Sequence, residues 1–311
     1  MEVIIYTVCS LNHLAQAKTL CDSVLRHNPG YHCVIGLADR INGRINRNAY
    51  APFRIIEGAE LGTPEFEQMT DQYNVLELNC ALKSFFGRYI LQTMKPRKMI
   101  FLDSDMLVFQ PLHFLEQQLE PYSILITPHI TRPFPDEEKR PRERDILKTG
   151  MYNAGFIAFR NDEETDRFFS WWTERMANQC YERIAEGLNA DQNWLNFVPL
   201  VFRKVSILRH AGCNAAYWNL HERTITKRGN EFYANEDPLL FFHYSGFSLL
   251  QPDQISRHQD RVKMEDQPAL KELFGLYAHA LQQAGHAAML AQPNAYAKQS
   301  IGKRIRKMLK G

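Results

Sequence analysis

Apolar and polar positions change period several times along the chain. Residues 3–8 (VIIYTV) form an unbroken apolar, β-branched run, which predicts a strand buried on both faces. Residues 13–27 recur at helical spacing and stop before Asn28, Pro29 and Gly30, so a helix ends in a turn there. The strand signal returns at 32–38 (HCVIGLA) and 53–57 (FRIIE). Val75, Leu78, Leu82, Phe85, Phe86 and Tyr89 then share one helical face, predicting a long amphipathic helix before Lys95 and Pro96. Strands follow at 98–102 (KMIFL), 123–127 (SILIT) and 154–159, then a helix over 162–186 and a second starting near Asp191. Strands alternating with crossover helices predict an α/β protein, a mainly parallel sheet flanked by helices. Beyond residue 250 the pattern is helical, which divides the chain into a main unit, 1–250, and a small helical C-terminal extension, 251–311.

Between strands, residues 129–149 carry Pro133, Pro135 and Pro141 among dense charges (PDEEKRPRERD). That composition predicts a surface loop, either a solvated excursion or a flap over a site. With 311 residues, 45% apolar and 23% charged, the chain can bury a large core, and wholesale disorder is excluded. No apolar run approaches the roughly 18 residues that would span a bilayer, and no secretory leader pattern opens the sequence. The six cysteines are scattered singly, which suits a reducing compartment and argues against a zinc site. A cytoplasmic protein is expected.

Two carboxylates end an otherwise apolar strand in FLDSD, residues 101–105. Burying unpaired carboxylates is expensive, so folding alone gives no reason for them. In an extended segment Asp103 and Asp105 share a face, and they lie at the carboxyl end of a strand, where open α/β sheets take their ligands. Two hard oxygen ligands suit magnesium or manganese. A helix cap or turn is the structural alternative for such a pair.

Three later segments occur with this one in a fixed order: Asn153-Ala154-Gly155 in YNAGFIAFR, Asp191-Gln192 in ADQNWLN, and His243 with Gly246 in HYSG. Together with Asp103-Ser104-Asp105 the set resembles the GT-A-fold (Rossmann-like) glycosyltransferases, most closely family 8 and related bacterial polysaccharide and lipopolysaccharide transferases. The resemblance covers about residues 1–250. It implies that Asp103, Asp105 and His243 bind manganese or magnesium, which holds the diphosphate of a nucleotide-sugar donor. It also implies that Asn153 and Gly155 approach the sugar, that Asp191 bonds donor hydroxyls, and that Gln192 lies near the anomeric carbon. Lys83, on the helix before the metal strand, would face the donor. Gly246 would allow close backbone approach. Val8, Cys9 and Ser10 stand where family 8 usually has paired acids that read uracil, and Leu249 and Leu250 where a lysine and tryptophan are usual. Arg209 or His210 is a candidate for the missing charge.

AAYWNLHER, residues 215–223, places Trp218 beside Asn219, His221 and Glu222, which suits either a sugar platform or a core with a polar edge. The expected activity is metal-dependent, retaining transfer from a nucleotide sugar, a UDP-sugar, to a glycan or lipid-linked acceptor. A sugar nucleotidyltransferase would need a glycine-rich basic loop after the first strand, and VCSLNHLAQ has no glycine. A non-catalytic sugar-binding module would not need the paired carboxylates. Of 37 basic residues, 6 lie in 298–311, leaving 31 against 35 acidic ones, so the body is net negative and the tail carries +6. In a helix Ile301, Ile305, Met308 and Leu309 line one face, which predicts an interfacial helix on an anionic membrane. The acidic body argues against nucleic acid as a partner.

Overall fold

The computed structural model describes residues 2–297. Its first elements are β1 (Val3–Cys9), α1 (Leu14–His27), β2 (His32–Leu37), β3 (Arg54–Glu57), α2 (Phe66–Gln72) and α3 (Val75–Thr93). Then come β4 (Lys98–Leu102), β5 (Met106–Val108), α4 (His113–Gln118), β6 (Ile124–Pro128), α5 (Glu143–Thr149), β7 (Tyr152–Arg160) and α6 (Glu163–Gln179). A hairpin of β8 (Glu182–Arg183) and β9 (Leu188–Asn189) precedes the short α7 (Val198–Val201), β10 (Val205–Ile207) and β11 (Ala215–Ala216). A meander of β12 (Ile225–Arg228), β13 (Glu231–Ala234) and β14 (Asp237–Pro238) leads to β15 (Phe241–His243), α8 (Pro268–Gln283) and α9 (His286–Leu290).

Seven strands form the main sheet in the order β10-β6-β7-β4-β1-β2-β3, and β7 alone runs antiparallel to its neighbours. Because side chains alternate along a strand, β1 serves two cores at once. Ile4, Tyr6 and Val8 face the layer containing α3 and α6, while Val3, Ile5 and Cys9 face the layer containing α1. Lying between β2 and β4, β1 needs both faces apolar, which explains its unbroken apolar run. A second sheet, β11-β15-β5, stands beside the carboxyl end of β4. The apolar face of α8, including Leu270, Phe274 and Tyr277, shares a core with Phe242 of β15 and Leu107 of β5.

Several predicted elements change. The helix α6 stops at Gln179 because the chain folds back into the β8–β9 hairpin, where the Glu182 amide donates to Glu77 Oε1 at 2.9 Å. The helix expected near Asp191 is a 3-10 turn over Asn193–Phe197 continued by α7, which ends before Phe202. The 129–149 segment contains a helix, α5, and is firmly attached to the body. Arg261 donates to Asp136 Oδ2 at 2.8 Å and to the carbonyls of Asp136, Lys139 and Pro141. Glu222 accepts from Thr131, and the His221 ring packs on Phe134. His221 and Glu222, from a stretch that suits either a sugar platform or a core with a polar edge, therefore fasten this segment.

No helix among the described residues is long and apolar enough to cross a membrane. The basic segment 298–311, expected to form an interfacial helix, lies outside the described residues.

Candidate active site at the carboxyl end of the sheet

Asp103 and Asp105 sit in the tight turn between β4 and β5, not in an extended segment, with the Met106 amide donating to the Asp103 carbonyl at 3.2 Å. Their convergence comes from the turn and from β15. That strand pairs antiparallel with β5 in a register that sets His243 opposite Met106, and the Tyr244 amide donates to the Asp105 carbonyl at 2.9 Å. His243 Nε2 reaches Asp105 Oδ1 at 3.0 Å and Asp103 Oδ2 at 3.9 Å. One ligand atom from each of the three side chains lies within 4.8 Å of the others. Burial works against charge on both partners of the Asp105–His243 contact, but their mutual attraction prevails. The imidazole is held above its usual pKa and the Asp105 carboxyl below its own.

The backbone supports the cluster closely. The Asp103 amide donates to the Gly155 carbonyl at 2.8 Å. A Cβ on Gly155 would meet His243 Cε1 at 2.6 Å and Asp103 Oδ2 at 2.8 Å. A glycine is needed here because the cradle formed by the Asp103 carboxylate and the His243 ring occupies the space a side chain would take. Gly246 adopts φ +76°, and a Cβ there would meet Ser256 Oγ at 2.5 Å, so the chain's own C-terminal segment makes the close approach.

Behind the acidic pair lies Lys83, 5% exposed on α3. Its ammonium is 3.1 Å from Asp103 Oδ1 and 3.0 Å from Asp191 Oδ2, and it donates to the Ala154 carbonyl at 3.2 Å. Three donors meet three acceptors, which a snorkelling surface lysine would not achieve. Burial alone would depress its pKa, yet Asp103 and Asp191 together hold it well above the usual lysine range. Asp191 is itself raised, chiefly by burial and further by Asp103, with Lys83 opposing. Asp191 is not a helix cap. The turn that follows begins at Asn193 and its N-cap position is Gln192.

Gln192 bridges two walls. Its Nε2 donates to the Thr149 carbonyl at 2.8 Å, and its Oε1 accepts from Asn153 Nδ2 at 3.1 Å. Asn153 Oδ1 accepts from the Gly155 amide at 3.1 Å and from Asn214 Nδ2 at 3.0 Å. Trp218 is 3% exposed, wedged edge-on against the rings of His129 and His243 at 5.2 and 5.1 Å. Its indole positions the neighbouring imidazoles and lends little of its face to a ligand.

Of the expected site residues, the structure brings Asp103, Asp105, His243, Lys83, Asp191, Asn153, Gly155 and Gln192 into one continuous group. Trp218 borders it, and Gly246 stands on the turn after His243. Arg209 and His210 do not join it, since His210 packs at a tilt against Phe114, ring centroids 4.7 Å apart, and has no ion pair with the acidic pair. Sequence reasoning missed His129 and Asn214. His129, just after β6 and buried, has its pKa pushed down to about 4 by burial. Its place at a strand's carboxyl end was the available signal. Asn214, at φ +55°, carried no local signal at all.

No protein-family model matches the chain. Over 179 residues it is 27% identical to the uncharacterized protein YfnF of Bacillus subtilis (strain 168), covering 57% of this chain and 58% of that protein. The match thus spans little more than half of YfnF. Among solved structures, the galactosyltransferase LgtC in complex with donor and acceptor sugar analogs superposes with a TM-score of 0.51 at 17% identity, over 91% of this chain and 99% of that one. The glycosyltransferase GlyE of Streptococcus pneumoniae TIGR4 gives 0.51 at 16% identity, over 96% and 66%. Strand order, the second sheet and these superpositions agree that the chain has the GT-A glycosyltransferase fold.

Proposed function

We propose that the chain is a metal-dependent glycosyltransferase that moves a sugar from a nucleotide-sugar donor, a UDP-sugar, to a hydroxyl of a glycan or lipid-linked acceptor with retention. The convergence of Asp103, Asp105 and His243 within 4.8 Å, at the end of a central strand, carries this reading. Two carboxylates and one imidazole form a donor set suited to manganese or magnesium. The Gly155 position, where a Cβ would intrude on Asp103 and His243, fits residues that must keep their cradle clear. When bound, such a cation supplies Lewis-acid stabilisation of the diphosphate that leaves the sugar.

The remaining steps belong to the chain's own residues. Lys83 fixes the Asp103 carboxylate and places a positive charge beside the donor. Asp191, held through Lys83, presents acceptor oxygens for sugar hydroxyls. Asn153 and Gln192, bonded to each other, orient the sugar so that the acceptor hydroxyl approaches the anomeric carbon on the face from which the diphosphate departs. The new C–O bond forms as the old one breaks and the hydroxyl proton passes to the leaving diphosphate, so that positioning contributes most to rate. Retention follows the resemblance to family 8.

The deciding experiment screens nucleotide sugars for turnover by the full chain with manganese, with magnesium and with chelator. Turnover that needs the cation and stops in Asp105→Asn supports the reading. Undiminished turnover in excess chelator refutes it. A β-configured product from an α-configured donor would exclude retention. For the tail we propose contact with anionic membrane, tested by cosedimentation of full-length protein with phosphatidylglycerol vesicles at low salt, where no binding refutes it.

A further inference from the structure

A cleft of about 480 Å³ opens from the Asn153–Gln192 pair and runs outward between the 129–149 segment and the edge formed by residues 217–218, 245 and 258. Its inner end is neutral and polar. His129 and Trp218 line it; the His129 ring leans on the backbone of Gly150 and Met151, while Trp218 Nε1 is buried with no protein partner among the described residues. An unpaired buried polar atom costs about 1–3 kcal/mol, so the Trp218 N–H at this cleft is a donor that an oxygen of a bound ligand would satisfy.

The outer end carries positive charge on its arginines, with His258 among them as a neutral imidazole. Arg140, Arg142 and His258 line it, and Arg257 stands beside His258, with Nε at 3.2 Å from His258 Nε2. Arg142 is committed to Asp145 through two bonds of 3.0 and 3.2 Å. Arg140 meets Asp260 through Nε at 3.4 Å, and its side chain remains largely exposed. Arg257 has no carboxylate within ion-pair distance among the described residues. Partial burial, then Arg257 and Arg140, hold the His258 imidazole below its usual pKa, as expected for cations gathered without enough counter-charge. Tyr217 completes the wall, its ring 5.8 Å from that of His258. An aromatic ring between a polar floor and a cationic mouth matches a saccharide with a charged substituent.

We propose that this cleft is the acceptor subsite, and that it is built for a saccharide bearing an anionic group, a phosphate or a carboxylate, whose oxygens are taken by Arg140, Arg257 and His258 while the accepting hydroxyl lies at the Gln192 end. The proposal rests on the glycosyltransferase reading for the hydroxyl's fate, but the subsite's charge preference is measurable without turnover. The cations hold the acceptor from loops clamped together by Arg261 and by the Arg140–Asp260 contact. Selection for charge therefore happens away from the reacting atoms. Arg140, Arg257 and His258 thus act on acceptor binding, and the transferred sugar is read elsewhere.

The test is calorimetric titration of the full chain with maltose, maltose 6′-phosphate and a disaccharide ending in glucuronate. Both charged ligands should bind at least about tenfold more tightly than maltose, the worth of one charge-assisted hydrogen bond. That preference should shrink several-fold between about 50 mM and 0.3 M salt. In the Arg140→Gln/Arg257→Gln double variant the charged-to-neutral ratio should approach one, and Arg257→Lys should retain part of it. Preference for the phosphate alone or for glucuronate alone identifies the source of the charge. Equal binding of all three ligands by the wild type, or an undiminished preference in the double variant, overturns the proposal. Donor hydrolysis measured in parallel separates the two claims. Cation-dependent hydrolysis without charge preference refutes the subsite alone, and charge preference without hydrolysis of any donor refutes the transferase reading alone.

Discussion

The inner and outer halves of the site are charged in opposite ways and built by opposite means. Inside, Asp103, Asp105, Asp191, Lys83 and His243 are delivered by strand ends, a long helix and a paired edge strand, and each is locked by short contacts. Outside, Arg140, Arg142, Arg257 and His258 stand on irregular segments that bond mainly to one another. Chemistry that needs atoms held within about half an ångström belongs on rigid elements, whereas recognition of a charge tolerates looser geometry and a wetter setting. The contrast predicts that inner substitutions abolish reaction or fold, and that outer ones shift affinity.

The largest effect is expected from Asp105→Asn. Loss of a carboxylate from the proposed metal set should lower turnover by on the order of 10²–10³-fold or more, read as initial rate at saturating donor. Thermal stability should change by no more than about 1 kcal/mol, since most of the scaffold is untouched. Next comes Lys83→Met, which leaves Asp103 and Asp191 facing each other without their shared cation. Breaking a buried ion pair from one side costs about 3–5 kcal/mol, visible as a lower midpoint in urea. Lys83→Met with Asp191→Asn should recover part of that loss. If Lys83→Met unfolds at the wild-type midpoint, the lysine is not the anchor of the inner half.

Gly155→Ala should act between the halves. Its Cβ would press on His243 and Asp103, so manganese affinity should fall about 10–100-fold, the range seen when groups supporting a metal site are disturbed. Calorimetric titration with manganese checks this without any substrate. Gln192→Ala should lower kcat by about tenfold and alter donor affinity less, the pattern of a contact stronger in the transition state. Equal losses in both would make Gln192 a structural bridge between Thr149 and Asn153. The smallest effect on reaction should come from Arg261→Ala, which frees the 136–141 stretch. Acceptor KM should rise several-fold, more than kcat falls, and limited proteolysis should cut within that stretch first. A variant cut no faster than the wild type would mean that the wall is held by Glu222 and Asp260 instead.

How far the candidate site could be read from the sequence differs between the same two halves. The acidic pair, the Asn-Ala-Gly strand, Asp191-Gln192 and His243 are short local patterns at strand ends, and they meet in the structure. The reason given for Asp103 and Asp105 was incomplete, because a turn and the register of β15 bring them together where an extended strand was expected. In the outer half, 129–149 reads as a surface loop, solvated or a flap, whereas Arg257 and His258 fall where a helical pattern is expected and the chain is instead irregular until the turn before α8. Nothing local in PDEEKRPRERD announces that Arg261, over a hundred residues later, will pin it down.

The sequence by itself determined the alternation of strands and helices, the two-faced burial of β1 and the positions of the inner acids. These follow from apolar periodicity and from residue type at strand ends, both of which are local. Only the tertiary structure decided that Lys83 is buried with three acceptors, that His221 and Glu222 are fasteners, and that three arginines and His258 gather at one cleft mouth. Those outcomes depend on contacts between distant segments, such as Lys83 with Ala154 and Asp191, and whether such a side chain meets a partner or water is set by which segments the sheet order places side by side.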